Sequence, residues 1–183
     1  MPMIKSQKPA VMLDLETLGT APGCVVTSIG ACAWYPQTGE MIEDFKVNIT
    51  IKSALAAGLA VDGDTLGWWF TQSSKAQQAF IADAVPIHTA LDMFSNWYRG
   101  LSVYADIDGI WGHGATFDVP VLTAAYVAIG EKAPWHYRTP RDTRTLFALA
   151  GYEPPRADVT HDALQDAIDQ AGWVTTALKM LAA

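Results

Sequence analysis

Ala10-Val11-Met12-Leu13-Asp14-Leu15-Glu16 is a short apolar run broken by two acids, and it reads as a central β-strand. Residues two apart on a strand share a face, so Asp14 and Glu16 leave the sheet on the same side. Two carboxylates held about 4 Å apart repel by on the order of 4 kcal/mol at an effective dielectric near 20. A folded chain tolerates that when a cation neutralises the pair, and carboxylate oxygens suit Mg²⁺ or Mn²⁺. On the pair alone, the alternative is that one acid faces solvent past the strand end.

Outward from this run, Val25 to Trp34 predicts a second strand, closed by the turn-rich Tyr35-Pro36-Gln37-Thr38-Gly39. Met41 to Ile51 predicts a third, completing an antiparallel meander. Helical spacing then takes over. Asp64 is placed to cap a helix carrying Leu66, Trp69 and Phe70 on one face. Ile87, Leu91, Phe94 and Tyr98 recur at helical intervals, and Gly100 ends that helix. Gly109 to Gly112 predicts a fourth strand running into the turn Gly112-His113-Gly114. The next helix buries Val119, Leu122, Tyr126 and Ile129 and stops at Gly130. Asp142 caps a helix through Leu149, ended by Gly151. A last helix from about Asp162 carries Leu164, Ile168, Ala171 and Leu178. Three strands followed by helices interleaved with short strands predict an α/β fold, a mixed sheet with helices packed on it.

The chain of 183 residues, half of them apolar, suits one globular domain over 1–183, with no low-complexity tract, charge block or repeat. No apolar run approaches the roughly 20 residues of a membrane span, and Met1 to Lys8 lacks the apolar stretch of a signal peptide. Cys24 and Cys32 are the only cysteines, and their spacing fits no CxxC pattern. On one strand they would share a face, too far apart to bridge, so two buried reduced thiols and a cytoplasmic location are expected. The net charge of −7 argues against gripping long duplexes through a basic surface. Two bound divalent cations would offset four of those charges.

Two further segments carry chemistry. Asp118 follows the strand and turn Trp111 to Phe117 and falls in the first turn of a helix. There it is either an acid favoured by the helix dipole or a ligand at a strand end, where α/β sheets collect their sites. In His161-Asp162-Ala163-Leu164-Gln165-Asp166, Asp162 and Gln165 have capping-box spacing, which makes Asp162 the N-cap. His161 and Asp166 then hold the two positions that meet in a hydrophobic staple, an imidazole facing a carboxylate. A surface histidine before a routine cap is the other reading.

Taken together these residues resemble the DEDD superfamily of 3′–5′ exonucleases, in the DEDDh branch whose third motif is His-x4-Asp. Asp14-Leu15-Glu16-Thr17 matches the first motif, Phe117-Asp118 the core of the second, and His161 with Asp166 the third. Their order and their spread over about residues 10–180 imply the ribonuclease H-like fold. Trp111 to Asp118, and Asp64 to Ser73, look like a subgroup of stand-alone bacterial and phage enzymes that includes a phage DNA exonuclease and a bacterial exoribonuclease. The chain departs at His113, where that subgroup leads one to expect Asn.

The resemblance implies that Asp14, Glu16, Asp118 and Asp166 hold two Mg²⁺ or Mn²⁺ ions, and that His161 is the general base. It implies that Thr17 and Leu18 contact the terminal nucleotide, Leu18 as a wedge against its base, with His113 tuning the turn or the substrate contact. Phe117, or Trp69 with Trp68, would stack on a base, a contact worth about 1–3 kcal/mol where it occurs. Asp142 reads as a helix cap and not a further ligand. The expected reaction is in-line hydrolysis of the terminal phosphodiester to a nucleoside 5′-monophosphate, on single-stranded or 3′-overhang RNA or DNA. The resemblance permits a homodimer, and no membrane partner is expected. A ribonuclease H-like endonuclease shares the acids but leaves His-x4-Asp unexplained; an inactive nucleic-acid-binding module would retain all five residues to no purpose.

Overall fold

The computed structural model describes residues 8–79, 81–104, 106–155 and 161–183. Its core is one five-stranded sheet in the order β3-β2-β1-β4-β5. The strands are β1 (Ala10–Thr17), β2 (Val26–Trp34), β3 (Met41–Asn48), β4 (Ile110–Gly112) and β5 (Pro140–Asp142). The first three form the expected antiparallel meander, while β4 and β5 run parallel to β1. The helices are α1 (Ile51–Ala56), α2 (Gly63–Thr71), α3 (Ser74–Ala79), α4 (Ile87–Gly100), α5 (Asp118–Ala128), α6 (Thr143–Ala150) and α7 (Ala163–Ala182). Among the described residues, no helix is long and apolar enough to cross a membrane.

Helices cover both faces of the sheet, which is why every residue of β2 is buried. Val11, Leu13 and Leu15 of β1 point into one apolar cluster with Leu91 and Phe94 of α4 and Val121 and Leu122 of α5. Met12 points the other way, with Cys32 and Trp34, against Ala167, Ala171 and Val174 of α7 and Phe147 of α6. By the period of two, Asp14 and Glu16 share the α7 face with Met12.

Small side chains let α7 lie flat on that face. Asp14 pairs with Gly30 across β1 and β2. A Cβ added to Gly30 would fall 2.1 Å from the carbonyl carbon of Ala163 and 2.2 Å from the Leu164 nitrogen. The first turn of α7 therefore rests on the bare backbone beside Asp14. Further along, Trp34 Nε1 donates to Thr175 Oγ1 at 3.2 Å.

The structure corrects the sequence expectations at several points. The third strand stops at Asn48, and the chain turns at Thr50, whose carbonyl accepts the amides of Ser53 and Ala54 to open α1. Ile49 and Ile51 keep the alternation of a strand, but Ile51 and Ala54 also fit one helical face. Asp62, not Asp64, caps α2, its carboxylate accepting from Thr65 N at 2.8 Å. Phe70 lies about 100° round the helix from buried Trp69 and is exposed. Both cysteines are buried and free, yet on opposite faces, because β2 begins after Cys24 and the alternation does not reach it. Three-residue β5 is too short to leave a pattern.

Gly30→Ala should overpack the β2–α7 contact and cost about 1–3 kcal/mol. Urea unfolding checks this: a lower midpoint at unchanged m-value is expected, and an unchanged midpoint would contradict the close approach.

Candidate active site

Three elements deliver acids to one end of the sheet. β1 supplies Asp14 and Glu16; α7 supplies Asp166 in its first turn, held by Asp166 N donating to the Asp162 carbonyl at 2.9 Å. One carboxylate oxygen from each of Asp14, Glu16 and Asp166 lies within 4.8 Å of the other two. At such separations each pair repels by roughly 3–4 kcal/mol at an effective dielectric near 20.

Solvent does little to relieve this. Glu16 is 7% exposed, and its Oε1 has no hydrogen-bond partner among the described residues. Burial, and then the charges of Asp166 and Asp162, push its carboxyl up to about 8. Burial likewise raises Asp14 well above the carboxylate range, helped by Asp118 and Glu16 and opposed by Gln170. Gln170 Nε2 donates to Asp14 Oδ1 at 2.8 Å, one helical turn beyond Asp166.

Asp118 lies beside this trio without belonging to it. It is 2% exposed, and Oδ2 accepts the His113 amide at 2.8 Å. Burial lifts its carboxyl to about 6, although the amides of His113, Asp118 itself and Leu15 hold its charge. A buried carboxylate with an orphaned oxygen, crowded by others, is an oxygen-donor set that fits a hard divalent cation.

His161 has a positive φ of 52° immediately before the N-cap Asp162, which accepts the amides of Leu164 and Gln165. The reciprocal half of the capping box is not made, because Gln165 Nε2 turns to Asp169 Oδ1. Lys46 of β3 pairs with Asp162 at 2.8 Å and ties this helix start to the sheet edge. The His161 ring lies against Trp68 and Trp69, at centroid distances of 5.0 and 5.7 Å.

Beside Glu16 opens a cleft of about 300 Å³, lined by Thr17, Gly19, Thr20, Thr65, Trp68, Trp69 and Phe117. The expected substrate contacts divide here. Thr17 and Phe117 line the cleft. Trp69 is 3% exposed and acts as a support, its Nε1 donating to the Thr17 carbonyl at 2.9 Å, so exposed Trp68 is the available ring. Leu18 is 2% exposed and packed into the core; Gly19 and Thr20 occupy the wall expected of it. The His113 ring turns away, Nδ1 bonding Thr143 Oγ1 at 2.8 Å, and contributes its backbone amide to Asp118. Of the residues that sequence reading missed, Gln170 was within reach through its four-residue spacing from Asp166. Lys46 and Gly30 carried no local signal. A larger apolar groove of about 910 Å³ runs along α5 and contains none of the four acids.

The five-stranded mixed sheet with helices on both faces is the ribonuclease H-like fold, and solved structures agree. The nuclease domain of 3′hExo, described as a DEDDh family member bound to rAMP, is 12% identical with a TM-score of 0.60, covering 96% of this chain and 94% of that one. Product-bound exonuclease I is 14% identical at a TM-score of 0.60, with 96% of this chain matching 43% of that one. Cell-death related nuclease 4 (CRN-4) is 13% identical at 0.55, over 94% and 64% of the two chains. No curated protein sequence matches significantly. The family model for the 3′–5′ exoribonuclease Rv2179c-like domain matches residues 9–178, and the chain belongs to that family. By that membership it is a 3′–5′ exonuclease.

The raised Glu16 carboxyl makes a pH test. Between its ordinary 4.5 and about 8, folded Glu16 holds a proton that the unfolded chain releases. Its contribution to stability therefore falls as pH rises through that window. Half-buried His113, whose pKa is lowered from 6.5, works in the opposite direction, so the readout is the difference between wild type and Glu16→Gln. In chelator, Glu16→Gln should match wild-type Tm at pH 5 and exceed it at pH 8. With Mg²⁺ or Mn²⁺ at pH 8 the order should reverse; a Tm difference independent of both pH and cation would contradict this electrostatic account.

Proposed function

We propose that the protein hydrolyses the terminal phosphodiester of single-stranded or 3′-overhanging RNA, releasing nucleoside 5′-monophosphates with two Mg²⁺ or Mn²⁺ ions bound by Asp14, Glu16, Asp118 and Asp166. The observation that carries this is the crowding of three carboxylates from β1 and α7, buried Glu16 with one orphaned oxygen and half-buried Asp14 and Asp166, beside a cleft of about 300 Å³. The family description favours RNA. Exonuclease I, described in complex with ssDNA in a zinc-bound form, keeps DNA as the second reading.

Divalent cations, when bound, supply positive charge that steadies the entering and leaving oxygens of phosphoryl transfer. The chain supplies the rest. Asp14 and Glu16 are fixed by a strand buried on both faces, so the donor oxygens pay little ordering entropy when a cation arrives. Burial raises the Asp118 carboxyl to about 6, and backbone amides oppose that rise. The cleft receives the terminal nucleotide, with Phe117 and Trp68 offering aromatic surface to its base and Thr17 in the wall, its hydroxyl donating to the Gly19 carbonyl at 2.7 Å.

His161 is the proposed general base. An imidazole is the side chain best suited to accept a proton near neutral pH. Its ring packs against Trp68, which lines the cleft, and against Trp69, and this contact supports the assignment.

Asp14→Ala or Asp166→Ala should abolish release of mononucleotides from a 3′-labelled RNA oligomer in Mn²⁺ or Mg²⁺. His161→Ala should reduce kcat by about 10²–10⁴-fold, the usual contribution of a general base. RNA, single-stranded DNA and 3′-overhang duplexes are compared in the same assay. Undiminished metal-dependent activity in Asp14→Ala, or internal cleavage as the first event, would overturn the reading.

A further inference from the structure

We propose that Arg144 binds a phosphate of the substrate strand, the one on the 5′ side of the scissile bond. The inference rests on the nuclease reading above and adds a residue that the acid and histidine motifs do not contain.

Arg144 is exposed in the first turn of α6, on the far side of the turn that carries Asp118. Its guanidinium lies over Gly114: a Cβ built on that glycine would sit 3.9 Å from both Cζ and Nη1. Gly114 has a φ of +135°, so a side chain at this place would be strained. Among the described residues, the guanidinium makes no hydrogen bond and no ion pair. The neighbouring cations are engaged: Arg141 donates to the carbonyls of Arg138, Pro140 and Asp108, and Arg138 to Tyr137 Oη.

Fold stability does not explain a free cation here. Positive charge in the first turn of a helix opposes the helix dipole. The α6 amides at that end, those of Arg144 and Thr145, are already taken by Asp142. Asp118 does not claim the guanidinium either, because backbone amides hold its carboxylate, although the Arg144 charge reaches it. A cation with no partner among the described residues, its charge reaching Asp118, is suited to an anion that the acids repel. Substrate phosphate is that anion, and guanidinium is the group that binds it bidentately.

The position decides which phosphate. The scissile one must sit at the oxygens of Asp14, Glu16 and Asp166, with the terminal nucleotide in the cleft beside Glu16 and Thr17. Arg144 is not part of that cleft wall. It lies over Gly114 in the turn that leads to Asp118, outside the cleft assigned to the terminal nucleotide, and this places it with the next phosphate on the 5′ side in the proposal.

The experiment compares wild type, Arg144→Ala and Arg144→Lys on a dinucleotide, whose single phosphate is scissile, and on a trinucleotide, which adds one phosphate on the 5′ side. Arg144→Ala should raise KM for the trinucleotide about tenfold or more, as loss of a charged hydrogen bond does, and leave KM for the dinucleotide unchanged. With a longer single strand, the slope of log affinity against log salt should fall by about 0.7 in Arg144→Ala, one phosphate's share, and hold in Arg144→Lys. Tm should not fall. Equal KM losses on both substrates would assign the contact to the scissile phosphate and overturn the proposal, as would an unchanged salt slope. A wild type inactive on every substrate would instead sink the nuclease reading itself.

Discussion

Like charges confined away from water govern this molecule. Asp14 and Glu16 share one face of a strand that is buried on both sides, and Asp166 is brought over them by a helix seated on bare backbone at Gly30. Burial and the neighbouring charges raise the Asp14 and Glu16 carboxyls above the ordinary carboxylate range. The apolar packing that stabilises the sheet forces this arrangement, since Met12 on the same face is locked against α7. Protons neutralise such a site when no cation is bound, and a hard divalent cation suits the same oxygens.

Other features follow from placing that cluster at the end of the sheet. The β1–β2 register shifts between Glu16 and Thr17, an irregularity of the kind that re-aims a side chain beside a site. Trp69 braces the next carbonyl, that of Thr17, and leaves Trp68 exposed toward the cleft. The turn after β4 delivers Asp118 with its charge satisfied by amides, and His113 anchors that turn to Thr143 at the start of α6. The site is assembled from strand ends and helix starts, as α/β sheets commonly arrange their ligands.

Much of this was legible in the amino-acid sequence, for physical reasons. The Asp14–Glu16 spacing reports a shared face because strand period is two, and the Asp162 cap defines where α7 begins and so where Asp166 points. The helices carrying Ile87, Leu91, Phe94 and Tyr98, and Val119, Leu122 and Tyr126, bury those residues, because a long apolar period admits few alternatives. Illegible features were those decided by distant chain. Leu18 carries no mark that says core rather than cleft; only the packing of Val25 and Asp62 around its backbone does so. Gly30 reads as an ordinary strand glycine until α7 is laid on it, and Lys46 as a surface lysine until Asp162 arrives. Asp142 caps α6, as its place before Thr143 implied.

The central claim is that residues far apart in the chain form one cation site. Anomalous diffraction from crystals soaked in Mn²⁺ tests it most directly. The account predicts manganese peaks in contact with carboxylate oxygens of Asp14, Glu16 and Asp166, with Asp118 drawn into the same shell. Manganese bound only elsewhere on the molecule, with these four carboxyls left bare, would contradict it.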